Sequence, residues 1–265
     1  MITSRNNSLA RHARAVRARK IHDLILIEGV RLGEEAARSG LIIEETLHTE
    51  KLASDLRGRR LLLDLSRISR RISLVSDEVL ASISDTRTPQ GIVLLAQRPQ
   101  TDRATFEKRI TGVPLIVVAH QLSNPSNAGA ILRVAEAAGS AGVITTENST
   151  DPFAPKALRG AMGSSFRLPL WTNARFSEVL EWCAERAIRT LSTSSSAPRS
   201  YMEIDWKMAL AVIIGAEASG LAPNEITATD EAIRIPMRRP VESLNVAVSL
   251  AVLLYEAARQ RDRGE

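Results

Sequence analysis

Three stretches of this chain gather amides, hydroxyls and charges directly behind an apolar run. The first is Asn124-Pro-Ser-Asn127-Ala-Gly129, which leads to Arg133. Asn127 is placed to cap a helix, and Gly129 leaves room for a close approach to its first turn. Arg133 falls off the apolar stripe of Ile131, Val134, Ala135 and Ala138. It reads either as a surface arginine pairing with Glu136 or as a cation facing a ligand. The second stretch is Ile214-Gly215-Ala-Glu217-Ala-Ser-Gly220-Leu221. A glycine straight after a strand permits a ligand near the backbone, and Glu217 then stands at the mouth of the sheet. A plain glycine turn is the other reading. The third runs from Ile235-Pro236-Met237 to Glu242-Ser243-Leu244-Asn245, where Ser243 is the expected cap of the last helix and Asn245 sits in its first turn.

Other chemistries find little footing. His12, His22, His48 and His120 lack metal-ligand spacing, so no metal site is expected. Ser164 and Ser165 have no nucleophile-elbow glycines around them. Neither a Walker A loop nor a GxGxxG fingerprint occurs, which disfavours a Rossmann-type nucleotide enzyme. Nine aromatic residues are too few for a stacking platform. Cys183, the single cysteine, lies in the amphipathic run EVLEWCAERA and reads as a small buried apolar side chain.

These loops need a scaffold, and the apolar runs describe one. PLIVVAH (114–120) reads as a central parallel strand, with further strands at 141–146, 188–193, 210–215 and 232–236. Helices are expected after Asn127, around 156–163, 176–187 and 224–229, and over 244–263. The pattern is an α/β sheet covered on both faces, whose ligands bind beyond the carboxyl ends of the strands. The first part alternates similarly: a basic helix over 9–20, a strand at 24–29, a helix ended by Gly40, a strand at 41–49, a helix-like run over 72–84 with Ser76 as N-cap, a turn at 86–91 and a strand at 92–97. The polar, proline-bearing run 98–104 is the best boundary, giving domains 1–99 and 100–265.

Charge separates the two parts. Residues 1–100 hold 17 basic and 12 acidic residues, and residues 101–265 hold 18 of each, so the net +5 belongs to the first hundred. Arg11, Arg14 and Arg17 precede any acid in the chain. A basic face of this kind suits nucleic acid, though it is also an ordinary solvated surface. No run approaches the ~18 apolar residues of a membrane span, and the N-terminus lacks the apolar core of a signal peptide. A soluble cytoplasmic protein is expected.

In order, NPSNAGAILR, IIGAEASGL and IPMRRPVESLNVAVSL resemble the three signature motifs of the SpoU/TrmH family of SPOUT-class RNA ribose 2′-O-methyltransferases. LILIEGVRLGEEAARSG and ISDTRTPQGIVLL resemble that family's N-terminal, L30e-like substrate-binding domain. The resemblance spans nearly the whole chain. It implies a C-terminal α/β domain with a deep trefoil knot, a homodimer, and S-adenosyl-L-methionine held by Ser192, Thr193, Ile214, Gly215, Ile235, Met237 and Leu244. It also implies a catalytic group of Arg133, Asn127, Glu217, Ser243 and Asn245. In the family, the arginine matching Arg133 acts as general base or orients the ribose, and Glu217 would orient Arg133. Arg238-Arg239-Pro240 departs from the glycine that many members carry there. Arg238, Arg239 and Arg159 join Arg11, Arg14 and Arg17 as candidate RNA contacts. Ribosomal RNA is the expected substrate, with transfer RNA and a non-catalytic RNA-binding role as alternatives.

Overall fold

The computed structural model describes residues 1–217 and 219–262. Along the chain come α1 (Ser8–Arg17), β1 (Leu24–Glu28), α2 (Val30–Arg38), β2 (Ile43–His48), α3 (Glu50–Ser54), α4 (Leu56–Ser66), β3 (Ser69–Leu74), α5 (Asp77–Ile83) and β4 (Ile92–Gln97). Next are α6 (Arg103–Glu107), β5 (Leu115–Ala119), α7 (Pro125–Ala137), β6 (Gly142–Thr146), α8 (Pro155–Ala161) and α9 (Ser164–Arg167). The chain finishes with β7 (Leu170–Ala174), α10 (Phe176–Glu185), β8 (Arg189–Thr193), β9 (Arg199–Ser200), β10 (Leu210–Ile214), α11 (Pro223–Thr227), β11 (Glu231–Arg234) and α12 (Val246–Asp262). Two compact units result. Unit one is Met1–Pro99 with Pro152–Arg167, and unit two is Gln100–Asp151 with Leu168–Glu265.

Unit one is built on a four-stranded mixed sheet, order β1-β4-β2-β3, with β3 at an edge. Here β2 pairs with β3 in parallel and with β4 antiparallel. Apolar side chains of α1 and α5 (Leu9, Ala13, Val79, Ile83) close on Leu26, Leu47, Val93 and Leu95 of the sheet. Ser76 caps α5 as expected, its hydroxyl accepting from Val79 N at 3.3 Å. The helix-like reading over 72–84 is corrected at its start, because residues 72–74 finish β3 and pair with β2. Burial of β3 runs i-e-e-e-B-i rather than alternating, so the period-2 signal of a strand is missing.

Unit two is a seven-stranded sheet, order β7-β6-β5-β10-β8-β11-β9, and every recorded pairing is parallel. Its central strands β5 and β10 are buried at every residue, which explains their unbroken Leu/Ile/Val/Ala runs. Phe106, Trp171 and Trp182 interlock at ring separations of 5.6 to 6.2 Å and wall one side of the core. Cys183 is buried among them, and burial pushes its thiol up to about 12, as befits a packing residue. The last helix starts at Val246 rather than 244, and Arg263 lies outside the described residues. No described helix is long and apolar enough to cross a membrane.

Candidate functional site

Three neighbouring strands of unit two, β10, β8 and β11, end at one cavity of about 340 Å³. Its walls are Thr193 at the end of β8 with Ser194 and Ser195 behind it, residues 215–217 and 219–221 after β10, and Ile235 and Met237 after β11. Glu242, Ser243 and Leu244 close it from the segment before α12, and Ser249 and Leu253 from that helix. Ala218 lies outside the described residues. Six of the seven residues expected around a cofactor therefore line one space. Ser192 does not. It is fully buried in β8, accepting from Thr229 Oγ1 at 2.8 Å and donating to the Glu231 carbonyl.

Gly215 allows the β10 loop to fold back on itself. A Cβ at this position would sit 2.3 Å from the Gly220 carbonyl carbon and 2.5 Å from Leu221 N, closer than backbone atoms allow. Ala216 and Gly220 form an antiparallel bridge across the same turn. Any side chain at 215 must force those two limbs apart.

Beside the cavity runs a directional chain of hydrogen bonds. The Glu217 carboxylate accepts from Asn124 N at 2.9 Å, from Ser123 N and Oγ at 3.3 Å, and from Asn127 Nδ2 at 3.2 Å. It thereby ties the loop after β10 to the loop after β5 and to the start of α7, where a negative charge also meets the helix dipole. A carboxylate only accepts, so Asn127 must present its NH₂ to Glu217 and its carbonyl to the next group. That group is Asn245 Nδ2, at 3.1 Å. The Asn245 oxygen then accepts from Ala247 N at 3.0 Å and Val248 N at 3.4 Å. Burial raises the Glu217 pKa. The hydrogen bonds from its own N–H, Asn124, Asn127 and Ser123 outweigh that and hold it below its ordinary value.

Two capping expectations are corrected by this network. Asn124, not Asn127, caps α7, its side chain accepting from Ser126 N at 2.9 Å. Asn245, not Ser243, caps α12, because its carbonyl also accepts the first helical bond from Ser249 N. In each case the capping residue lies within three residues of an alternative of similar capping propensity, and backbone register decides between them.

Arg133 is exposed on α7 and makes no side-chain hydrogen bond or ion pair among the described residues. It pairs with neither Glu136 nor Glu217, so the expected orientation of Arg133 by Glu217 is absent within one chain. Arg238 and Arg239 are likewise exposed and unpaired among the described residues. In unit one, Arg11 is exposed, whereas Arg14 and Arg17 are half-buried and donate to Ser82 Oγ and to the Ser82 and Ser84 carbonyls at the end of α5. Arg159 binds Asp85 at 2.8 Å, and its Nη1 is buried without a partner.

Sequence reasoning missed Ser194, Ser195 and Glu242 as cavity residues. The serine run has no distinguishing sequence pattern, and only its position after β8 marks it. It also passed over His120, whose buried ring joins Glu225 at 2.9 Å and Thr146 at 3.0 Å.

The fold and site define a class first: an α/β protein with a cofactor-sized cavity beyond the carboxyl ends of parallel strands. Residues 114–255 match the model of the SpoU rRNA methylase family, and residues 10–94 match that of the MRM3-like substrate binding domain. The chain belongs to the SpoU rRNA methylase family. An uncharacterized tRNA/rRNA methyltransferase of Synechocystis is 34% identical over 98% of this chain and 94% of its own length. The 23S rRNA (guanosine(2553)-2′-O)-methyltransferase RlmP of Bacillus subtilis is 31% identical over 87% of this chain and 86% of its own. The SpoU methyltransferase AviRb of Streptomyces viridochromogenes, solved with its cofactor AdoMet, superposes with a TM-score of 0.86 at 27% identity, covering 98% of this chain and all of that one.

The cavity fits S-adenosylmethionine. Its volume is within the range of about 300–1,000 Å³ usual for cofactor pockets. Ile214, Ile235, Met237, Leu244 and Leu253 give apolar walls for a purine and a thioether. Glu217 and Glu242 add negative charge to the lining, which suits a cationic ligand. Among the described residues no group of His, Cys, Asp and Glu is placed to hold a metal ion.

Proposed function

We propose that this protein transfers a methyl group from S-adenosylmethionine to a ribose 2′-hydroxyl of 23S ribosomal RNA, acting in the cytoplasm as a homodimer. The observation that carries the reading is the cavity at the ends of β8, β10 and β11, braced by the Glu217–Asn127–Asn245 chain. The cofactor, when bound, supplies an electrophilic methyl group. The chain's own residues must bring the hydroxyl into line and manage its proton. A guanidinium group is a poor proton acceptor at neutral pH. The role of Arg133 in this reading is to orient the 2′-hydroxyl and neutralise the neighbouring phosphate, since alignment alone lowers such barriers by several kcal/mol. Asn127, Glu217 and Asn245 act as positioning residues that hold the two loops and both helix starts in register. Ser243 faces the substrate side.

The solvent position of Arg133, away from its own cavity lining, supports a site completed by a second copy. Exposed apolar residues Val248 and Tyr255, seven apart on one face of α12, supply a surface for that copy. Residues 1–99 are taken as the RNA-binding domain and 100–265 as the methyltransferase domain. The test is incubation of the pure protein with methyl-labelled S-adenosylmethionine and protein-free 23S rRNA or tRNA. Label recovered as a 2′-O-methylated nucleoside from 23S rRNA is expected. Label on tRNA alone, or on a base, would overturn the substrate or the chemistry respectively.

A further inference from the structure

The excess positive charge of the first 99 residues has a sharper address than the N-terminal helix. Residues 56–72 (LRGRRLLLDLSRISRRI) hold six arginines and one acid, Asp64. Outside that stretch, residues 1–99 hold eleven basic and eleven acidic residues, so the stretch carries the whole excess. Within α4, Gly58, Leu61 and Leu65 are buried against the unit-one core. At 100° per residue, Leu56, Arg59, Arg60, Leu63 and Arg67 fall on the opposite face, and all five are exposed. Arg59, Arg60 and Arg67 make no side-chain hydrogen bond or ion pair among the described residues. On β3, Arg70 and Arg71 are 64% and 63% exposed while meeting Glu44 and Glu45.

Resting on the RNA reading above, we propose that the solvent face of α4, with the edge strand β3, is a docking surface for RNA phosphates in unit one. Arg57 is held by Glu34 at 2.7 Å, which leaves Arg59, Arg60 and Arg67 unpaired among the described residues, and a guanidinium fork binds phosphate oxygens bidentately. Leu56 and Leu63, 61% and 58% exposed, lie between the arginines and offer apolar contact to sugar and base faces. An anionic membrane is the weaker partner. The apolar side of α4 is already packed into the core, so the helix has no hydrophobic face to insert.

The test uses the full chain carrying Arg59→Gln, Arg60→Gln and Arg67→Gln, binding protein-free 23S rRNA without cofactor across a salt series. Affinity near 0.1 M salt should fall about tenfold, and the slope of log K against log salt should become shallower by about 2 to 3. The matching Arg→Lys triple variant should recover most of the affinity, and Arg67→Glu alone should move it in the same direction as the Gln triple. S-adenosylmethionine affinity, read by calorimetry, should stay unchanged, which separates failure here from failure of the methyl-transfer reading. Unchanged RNA affinity and slope in the Gln triple would overturn the proposal. So would loss of binding to phosphatidylglycerol vesicles, or to an acidic protein, with RNA binding intact.

Discussion

Unit one and unit two carry opposite charge balances. Lys156, Arg159 and Arg167, contributed with no acid by residues 152–167, raise the excess of unit one from five to eight, leaving unit two with three more acids than bases. Their polar groups are also used differently. In unit two, Glu217, Asn127 and Asn245 are locked to one another beside an apolar-walled cavity. In unit one, Arg59, Arg60 and Arg67 project into solvent with no partner among the described residues, while Arg57 pairs with Glu34. A site that must hold a small cofactor in one pose needs fixed dipoles and satisfied hydrogen bonds. A surface that meets a polyanion of varied shape needs charge density and freedom to adjust. Under the proposed function the two units serve these two tasks, and substitutions in each should fail in different assays.

The largest effect is expected at Arg133. Arg133→Ala should lower methyl transfer by more than about 100-fold, the scale of lost alignment, while cofactor affinity stays within error. Mixed dimers sharpen the point. Arg133→Ala combined with the cavity-filling Leu244→Trp should regain activity if Arg133 serves the partner's cavity, because one site of each heterodimer is then intact. No recovery would place Arg133 in its own subunit's site.

Next is Gly215→Val, whose side chain has no room against Gly220 and Leu221. Cofactor affinity should drop more than about tenfold, consistent with reshaping a pocket wall, with 23S rRNA binding by unit one retained. Equal loss of both would break the division between the units.

Smaller effects should follow at the hydrogen-bond chain. Asn127→Ala removes one hydrogen bond from each of the exposed Glu217 and Asn245 side chains, where water can take its place, costing about 0.5–1.5 kcal/mol. Because folding depresses the Glu217 pKa, its stabilisation is present above the unfolded value and lost as pH falls through the folded one. Thermal melts should therefore show the Asn127→Ala penalty at neutral pH and a smaller one well below pH 4.5, the ordinary value for this group. A penalty independent of pH would detach Asn127 from the carboxylate. Smallest of all, Cys183 should resist alkylation in the native protein at neutral pH, since its thiol is buried and titrates at about 12.

Much of unit two was legible because its strands are buried throughout and read as unbroken apolar runs, with polar loops at their ends. Gly215, Ile235, Met237 and Leu244 stood in loops read that way, whereas Thr193 came from the family resemblance. Unit one was harder. Residues 50–71 gave no clear pattern because α3 and α4 are short and two leucines of α4 face solvent, which blurs the helical period. The basic run at the N-terminus drew attention that α4 merits more, since burial and partners, invisible in sequence, attach Arg14 and Arg17 to α5. Asn127 and Ser243 were misjudged as caps in place of Asn124 and Asn245 for a related reason, the choice between nearby polar residues being set by where the helix begins.

The central claim is that unit two methylates a ribose in RNA presented by unit one. Its most direct test maps 23S rRNA from reactions with the wild-type protein and with Arg133→Ala. A 2′-O-methylated ribose cannot assist alkaline cleavage of its phosphodiester, so each modified position appears as a gap in the hydrolysis ladder. The account predicts one new gap with the wild-type protein and none with the variant. A ladder without a gap in either reaction, or the same gap in both, would contradict it.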